Sequence, residues 1–130
     1  VSEGVGSVEE FTDPVFVINK TVLTKWNSDN LFDTPDPWFK VKIDGVDAYR
    51  TDYLSDVGNG KSCTFFDLNI VIDRIYSKIE FDLYDYDTGY SSGSDYISGL
   101  YTTFFYEFWG QNSFTLKVSD LEFTVYGTWY

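Results

Sequence analysis

The sequence has no histidine, and that absence removes more chemistry than any single residue supplies. Without imidazole there is no Ser-His-Asp triad, no histidine general base and no histidine-ligated metal. A single cysteine, Cys63, can close no intrachain disulfide and build no thiolate zinc site. It sits in the apolar run Cys63-Thr64-Phe65-Phe66 and reads as a buried, inert thiol. Basic residues are scarce: 9 Lys and Arg against 21 Asp and Glu leave a formal net charge of -12. Such a surface repels phosphate backbones, so nucleic acid is not an expected partner. Long hydrophobic runs are also missing, which leaves no candidate for a signal h-region or a membrane-spanning helix. Proline occurs three times and methionine not at all, and a start at Val1 suggests a trimmed or processed segment.

What is present is a core. At 130 residues, 43% hydrophobic and 21% aromatic, the chain has the size and content of one folded domain. Residues 1–13 are polar and rich in Gly, Ser and Glu, and read as a flexible tether; residues 14–130 carry the fold. The apolar period is two, with no sustained helical stripe, so the expected class is all-β. Strands are expected at Pro14 to Leu23, Trp38 to Ile43, Ala48 to Thr51, Cys63 to Ile72, Lys78 to Asp85, Thr102 to Phe108, Ser113 to Val118 and Leu121 to Trp129. In the first, Phe16, Ile18 and Val22 share one phase; in the second, Phe39, Val41 and Ile43 alternate with Lys40 and Lys42; in the fifth, Ile79, Phe81 and Leu83 face the core. Phe114, Leu116 and Val118 are even-numbered while Leu121, Phe123 and Val125 are odd, so a turn or bulge belongs at Ser119-Asp120. Eight short strands with this patterning give an antiparallel β-sandwich or a barrel.

Two polar loops break the pattern, and both are loaded with carboxylates. Lys25 to Pro37 carries Asp29, Asp33 and Asp36; Asp85 to Asp95 begins with Asp85-Tyr86-Asp87 and is rich in Ser and Gly. Strand parity continued from Phe81 and Leu83 puts Asp85 and Asp87 on one side of the chain. Converging aspartates repel one another and take up protons, whereas a Ca²⁺ ion with six to eight oxygen ligands stabilises them as anions.

The segments Asp36-Pro37-Trp38-Phe39-Lys40-Val41, Phe81-Asp82-Leu83-Tyr84-Asp85-Tyr86-Asp87 and Asp95-Tyr96-Ile97-Ser98-Gly99, in that order, resemble the calcium-loop motifs of C2 domains, calcium-dependent membrane-binding β-sandwiches of about this length. The resemblance covers the chain from about Val15 to Tyr101 and implies an eight-stranded C2-like sandwich with calcium held at one end. It implies Asp36, Asp85, Asp87 and Asp95 as ligands. For the remaining first-loop ligand the family position falls on Asn30, with Asp29 one step earlier and Asp33 halfway to the Asp-Pro. Asp29 is preferred because a charged oxygen binds Ca²⁺ better than an amide does, and Asn30 and Asp33 stay as alternates. The second acidic loop is two residues longer than the family pattern.

The resemblance also implies docking to anionic phospholipid through a calcium bridge, and peripheral membrane association with it. The stretch matching the family's Lys-rich phosphoinositide strand, Lys61 to Asn69, holds a single Lys and does not support that mode. Leu31 and Phe32 either dip into the lipid interface or fold back on the core. Trp26, in the first acidic loop, is expected to be exposed as a membrane or partner contact, with Tyr90 beside it in that role, while Trp38, Trp109 and Trp129 are expected in the core. The tyrosines near the second acidic loop leave a carbohydrate partner open. Catalysis is not expected, since no activated nucleophile with a base is in view. The alternative to lipid docking is a monomeric module of a larger secreted or cell-surface protein, its loops rigidified by calcium.

Overall fold

The two-residue alternation is realised as two antiparallel sheets laid face to face. A computed structural model of the chain describes residues 13–27, 35–58, 60–87, 93–102 and 105–130, with the side chains of residues 87, 93 and 94 left out of the description. In chain order the described strands are β1 (Phe16–Thr24), β2 (Pro37–Ile43), β3 (Val46–Arg50), β4 (Cys63–Phe65), β5 (Ile70–Ile72), β6 (Ile79–Asp87), β7 (Gly93–Thr102), β8 (Ser113–Val118) and β9 (Leu121–Trp129). The first sheet places β1 between β9 and the short strands β4 and β5, with β8 outside β9; the second runs β3, β2, β6, β7. Because β4 and β5 lie along the same edge of β1, the nine described strands occupy eight positions, four in each sheet.

Inward-facing side chains from the two sheets interdigitate. Phe39 and Val41 of β2 and Ile79, Phe81 and Leu83 of β6 meet Phe16, Ile18, Phe123 and Val125 of the first sheet, all fully buried. Phe123 lies 5.2 Å from both Phe39 and Phe81, and Phe39 meets Phe65 edge-on at 5.0 Å. Such aromatic pairs add about 0.5–1.5 kcal/mol each beyond the area they bury. Two tight turns set the register. Asp44 and Gly45, with φ of 50° and 81°, link β2 to β3 in the left-handed conformation that suits a two-residue hairpin. Ser119 and Asp120 link β8 to β9 and pair Val118 with Leu121, which is the phase reversal seen in the sequence.

Five expectations need correction. Val22 does not share the phase of Phe16 and Ile18; Thr21 and Leu23 are the buried residues there. The register against β9 shifts between Tyr126 and Gly127, leaving Asn19 bulged and flipping every later side chain on β1. Gly127 is required at that shift, since a Cβ would strike the Val17 carbonyl and the Phe16 ring. Cys63 to Ile72 is two strands, because Asp67 takes a φ of 54° and breaks the extended run after Phe66; Leu68 N–H donates to the bulged Asn19 carbonyl at 3.0 Å, so bulge and break face each other.

Thr102 to Phe108 is not a strand: β7 ends at Thr102 and Phe105–Phe108 forms a 3₁₀ turn that drives Phe105 between Phe16 and Phe114. The segment Asp95 to Gly99, expected as the close of a loop, is the body of β7. Of the tryptophans assigned to the core, Trp38 is almost wholly buried, Trp129 is partly buried with Nε1 donating to Gln111 O, and Trp109 is 48% exposed on the turn after the 3₁₀ segment.

Phe123→Ala removes the ring shared by both sheets and should cost about 3–5 kcal/mol in chemical denaturation; a loss below 1 kcal/mol would show the sheets are held elsewhere. Burial pushes the Cys63 thiol up to about 11. At pH 8 roughly one thiol in a thousand is then ionised, so iodoacetamide should label the folded protein far more slowly than the protein in denaturant, by mass spectrometry.

Candidate metal centre

Proline and register bring the first two candidate ligands together. Pro37 starts β2 opposite Asp85 of β6, so the residue before it, Asp36, arrives at the same end of the sandwich. Asp36 N–H donates to Asp85 Oδ1 at 2.8 Å, and Tyr86 N–H donates back to the Asp36 carbonyl at 2.9 Å. Asp85 is 1% exposed, a buried carboxylate at the sandwich tip. Asp36 Oδ1 accepts from Asp56 N–H at 2.7 Å, which draws the loop after β3 to the same place. Asp95 is exposed and is the cross-strand partner of Asp85, so the two share one face of the β6–β7 ladder. Asp87 pairs through its backbone with Gly93 and ends β6.

Asp29, Asn30, Asp33, Leu31, Phe32 and Tyr90 lie outside the described residues. Among the described residues no three acidic, Cys or His side chains converge as a metal cluster. The described part of the candidate set is therefore a pair, Asp36 with Asp85, and Asp95 across the ladder.

Trp26 corrects the expectation of an exposed contact. It is 2% exposed and part of the core, with its indole Nε1 donating to the Lys61 carbonyl at 2.7 Å. A buried indole N–H takes a partner, and here the partner comes from 35 residues away in sequence, at the foot of the neighbouring loop. Two features went unread in the sequence. Asp56 contributes its backbone N–H, which leaves no mark in composition, and Tyr53 stacks on Tyr86 at 4.5 Å beside the tip. The signal available was a third acidic loop, Asp52 to Asp56, between β3 and β4.

Solved structures share this two-sheet architecture. BON1-C2B superposes with a TM-score of 0.64 at 12% identity, over 98% of this chain and 99% of its own. A structure described only as a C2 domain covers 88% of this chain and 97% of its own, with a TM-score of 0.52 and 13% identity. The chain has the C2 fold. Human GIVD cytosolic phospholipase A2, in complex with methyl gamma-linolenyl fluorophosphonate, matches at a TM-score of 0.60 and 14% identity over 91% of this chain but only 17% of the enzyme. This C2-like chain thus corresponds to a small fraction of that protein's length. No family model and no curated protein matches the sequence.

Away from the tip, the outer face of the second sheet in this C2-like sandwich carries a charge cluster. Lys42 lies 3.2 Å from Asp82 and 4.0 Å from Glu80, and Lys78 lies 3.6 Å from Glu80. Asp82 is 2% exposed, and its Oδ1 has no hydrogen-bond partner among the described residues. A hydrogen bond shared with Asp82, then burial and the Asp82 charge, push the Glu80 carboxyl upward against the pull of Lys42 and Lys78. A carboxyl raised in the folded state favours folding when protonated, and that contribution is lost as pH rises through its folded pKa. Glu80→Gln should therefore stabilise the fold at pH 7, by less than about 1 kcal/mol for so partly exposed a group, and raise the melting temperature accordingly. The advantage should close below about pH 4; melts across that range would contradict it if the variant were less stable at neutral pH.

Proposed function

We propose that this C2-like domain is a calcium-binding targeting module, which binds rather than catalyses, and that its acidic tip docks it to anionic phospholipid or to a surface partner. The observation that supports this reading is the buried Asp85 carboxylate, tied to Asp36 at the sandwich tip and facing Asp95 across the ladder. Burying a carboxylate among like charges is costly unless a cation or donors compensate. Backbone N–H groups hold one oxygen of Asp36 and one of Asp85 in fixed directions, the pre-orientation a hard cation needs from oxygen ligands. Asp29 and Asp87 complete the proposed ligand set, with Asn30 and Asp33 as alternates to Asp29. Calcium supplies the charge that lets a chain of net charge -12 approach an anionic headgroup. Leu31, Phe32 and Tyr90 belong to the acidic loops and would form the docking contact. A place in a larger secreted or cell-surface protein suits this reading.

Thermal melts in EDTA, calcium and magnesium test it. An ion that binds only the folded state at a hundred times its dissociation constant adds about 2.7 kcal/mol, on the order of ten degrees for a domain of this size. A calcium-selective rise should appear and should shrink in Asp95→Asn, whose exposed position leaves the fold intact. No rise at millimolar calcium would remove the site. Cosedimentation with phosphatidylserine vesicles then separates the two uses: calcium-dependent pelleting supports lipid docking, and stabilisation without pelleting means a structural calcium.

A further inference from the structure

β3 is the outer strand of its sheet. All five of its residues are exposed, and no described strand pairs with its far edge. An edge of this kind presents backbone N–H and C=O groups to any further extended chain. A cleft opens on each side of it. On the outer face, a cleft of about 290 Å³ is lined by Trp38, Lys40, Asp47, Tyr49 and Arg50. Toward the β4–β5 break, a second of about 210 Å³ is lined by Tyr49, Tyr53, Leu54 and Phe66, with the carboxylates Asp52 and Asp67 among its walls. Tyr49 borders both. Phe66 is 68% exposed, in the phase opposite to the buried Cys63 and Phe65.

From this arrangement we infer that an extended, basic peptide segment adds to the β3 edge as a further strand. Side chains of an added strand alternate sides at period two, so successive ones enter the two clefts in turn. The clefts differ in charge. In the outer one Lys40 lies 3.4 Å from Asp47, and Arg50 lies over the Trp38 ring at 4.8 Å, so the cations are already engaged and an aromatic wall remains. The other holds two carboxylates and, among the described residues, no cation. The occupant therefore carries Lys or Arg on one face of the strand and apolar side chains on the other. A second copy of this chain fits poorly, because two surfaces of net charge -12 would be brought together. This inference is independent of calcium, since none of the edge or cleft residues belongs to the proposed ligand set.

The test is a titration of the isotopically labelled chain with three synthetic probes, followed by amide shifts. The probes are acetyl-Lys-Val-Lys-Phe-Lys-Val-Lys-amide, its counterpart with Glu for every Lys, and a version of the first with proline at its centre. The basic probe should saturate and move the amides of residues 46–54 and 66–68. The acidic and proline probes should bind at least about tenfold more weakly, as should the basic probe with Asp52→Lys. Asp52 is exposed, so that variant keeps the fold, and an unchanged spectrum elsewhere checks it. The inference is overturned if the basic probe leaves β3 unmoved at millimolar concentration, if the three probes bind alike, or if Asp52→Lys has no effect. It is overturned equally if β3 amides shift with protein concentration alone, because the occupant is then a second copy.

Discussion

The tip of this domain depends on an interlock far from it, the contact of Phe39 and Phe81 with Phe123 between the sheets. These rings fix β2 and β6 as neighbours against the first sheet, with Phe39 opposite Leu83 and Pro37 opposite Asp85. Side-chain period makes register an all-or-none property: a slip of one residue would turn Phe39 outward and carry Asp36 away from Asp85. Aromatic packing in the middle of the sandwich thus determines which carboxylates meet at its end. The hydrogen bond between Asp36 and Asp85 is a consequence of that register.

Much of this was legible in the residues themselves. Ile79-Glu80-Phe81-Asp82-Leu83 alternates cleanly and forms the first half of β6, and the change of phase at Ser119-Asp120 is a turn, as a period argument requires. The motif resemblance named Asp36 and Asp85 each as a calcium ligand, and the register sets the two side by side. Local pattern failed where distant partners decide. A lone tryptophan in a polar loop reads as exposed, yet Trp26 is buried because the Lys61 carbonyl reaches its indole N–H. The bulge at Asn19 and the break at Asp67 come as a pair joined by the bond from Leu68 to Asn19, and neither is visible from its own neighbours in sequence.

Charge divides the surface by role. Cations on the outer face of the second sheet are engaged by carboxylates or aromatic rings: Lys42 with Asp82, Lys40 with Asp47, Arg50 over Trp38 and Lys78 over Tyr101. An exposed pair such as Lys40 with Asp47 adds little stability, but with these cations engaged the cleft on the other side of β3 is walled by the carboxylates Asp52 and Asp67.

The burial of Trp26 has a further meaning for the loop that follows it. Trp26 and Pro35 are both buried, so the first acidic loop leaves and re-enters the body at two fixed posts. The entropy of closing a flexible loop grows only with the logarithm of its length, roughly 0.6 kcal/mol per doubling. Between such posts, sequence can be lengthened, shortened or exchanged while the sandwich beneath keeps its register. The register of the sandwich is thus set by the strands and the two posts and does not hang on the length of chain between them.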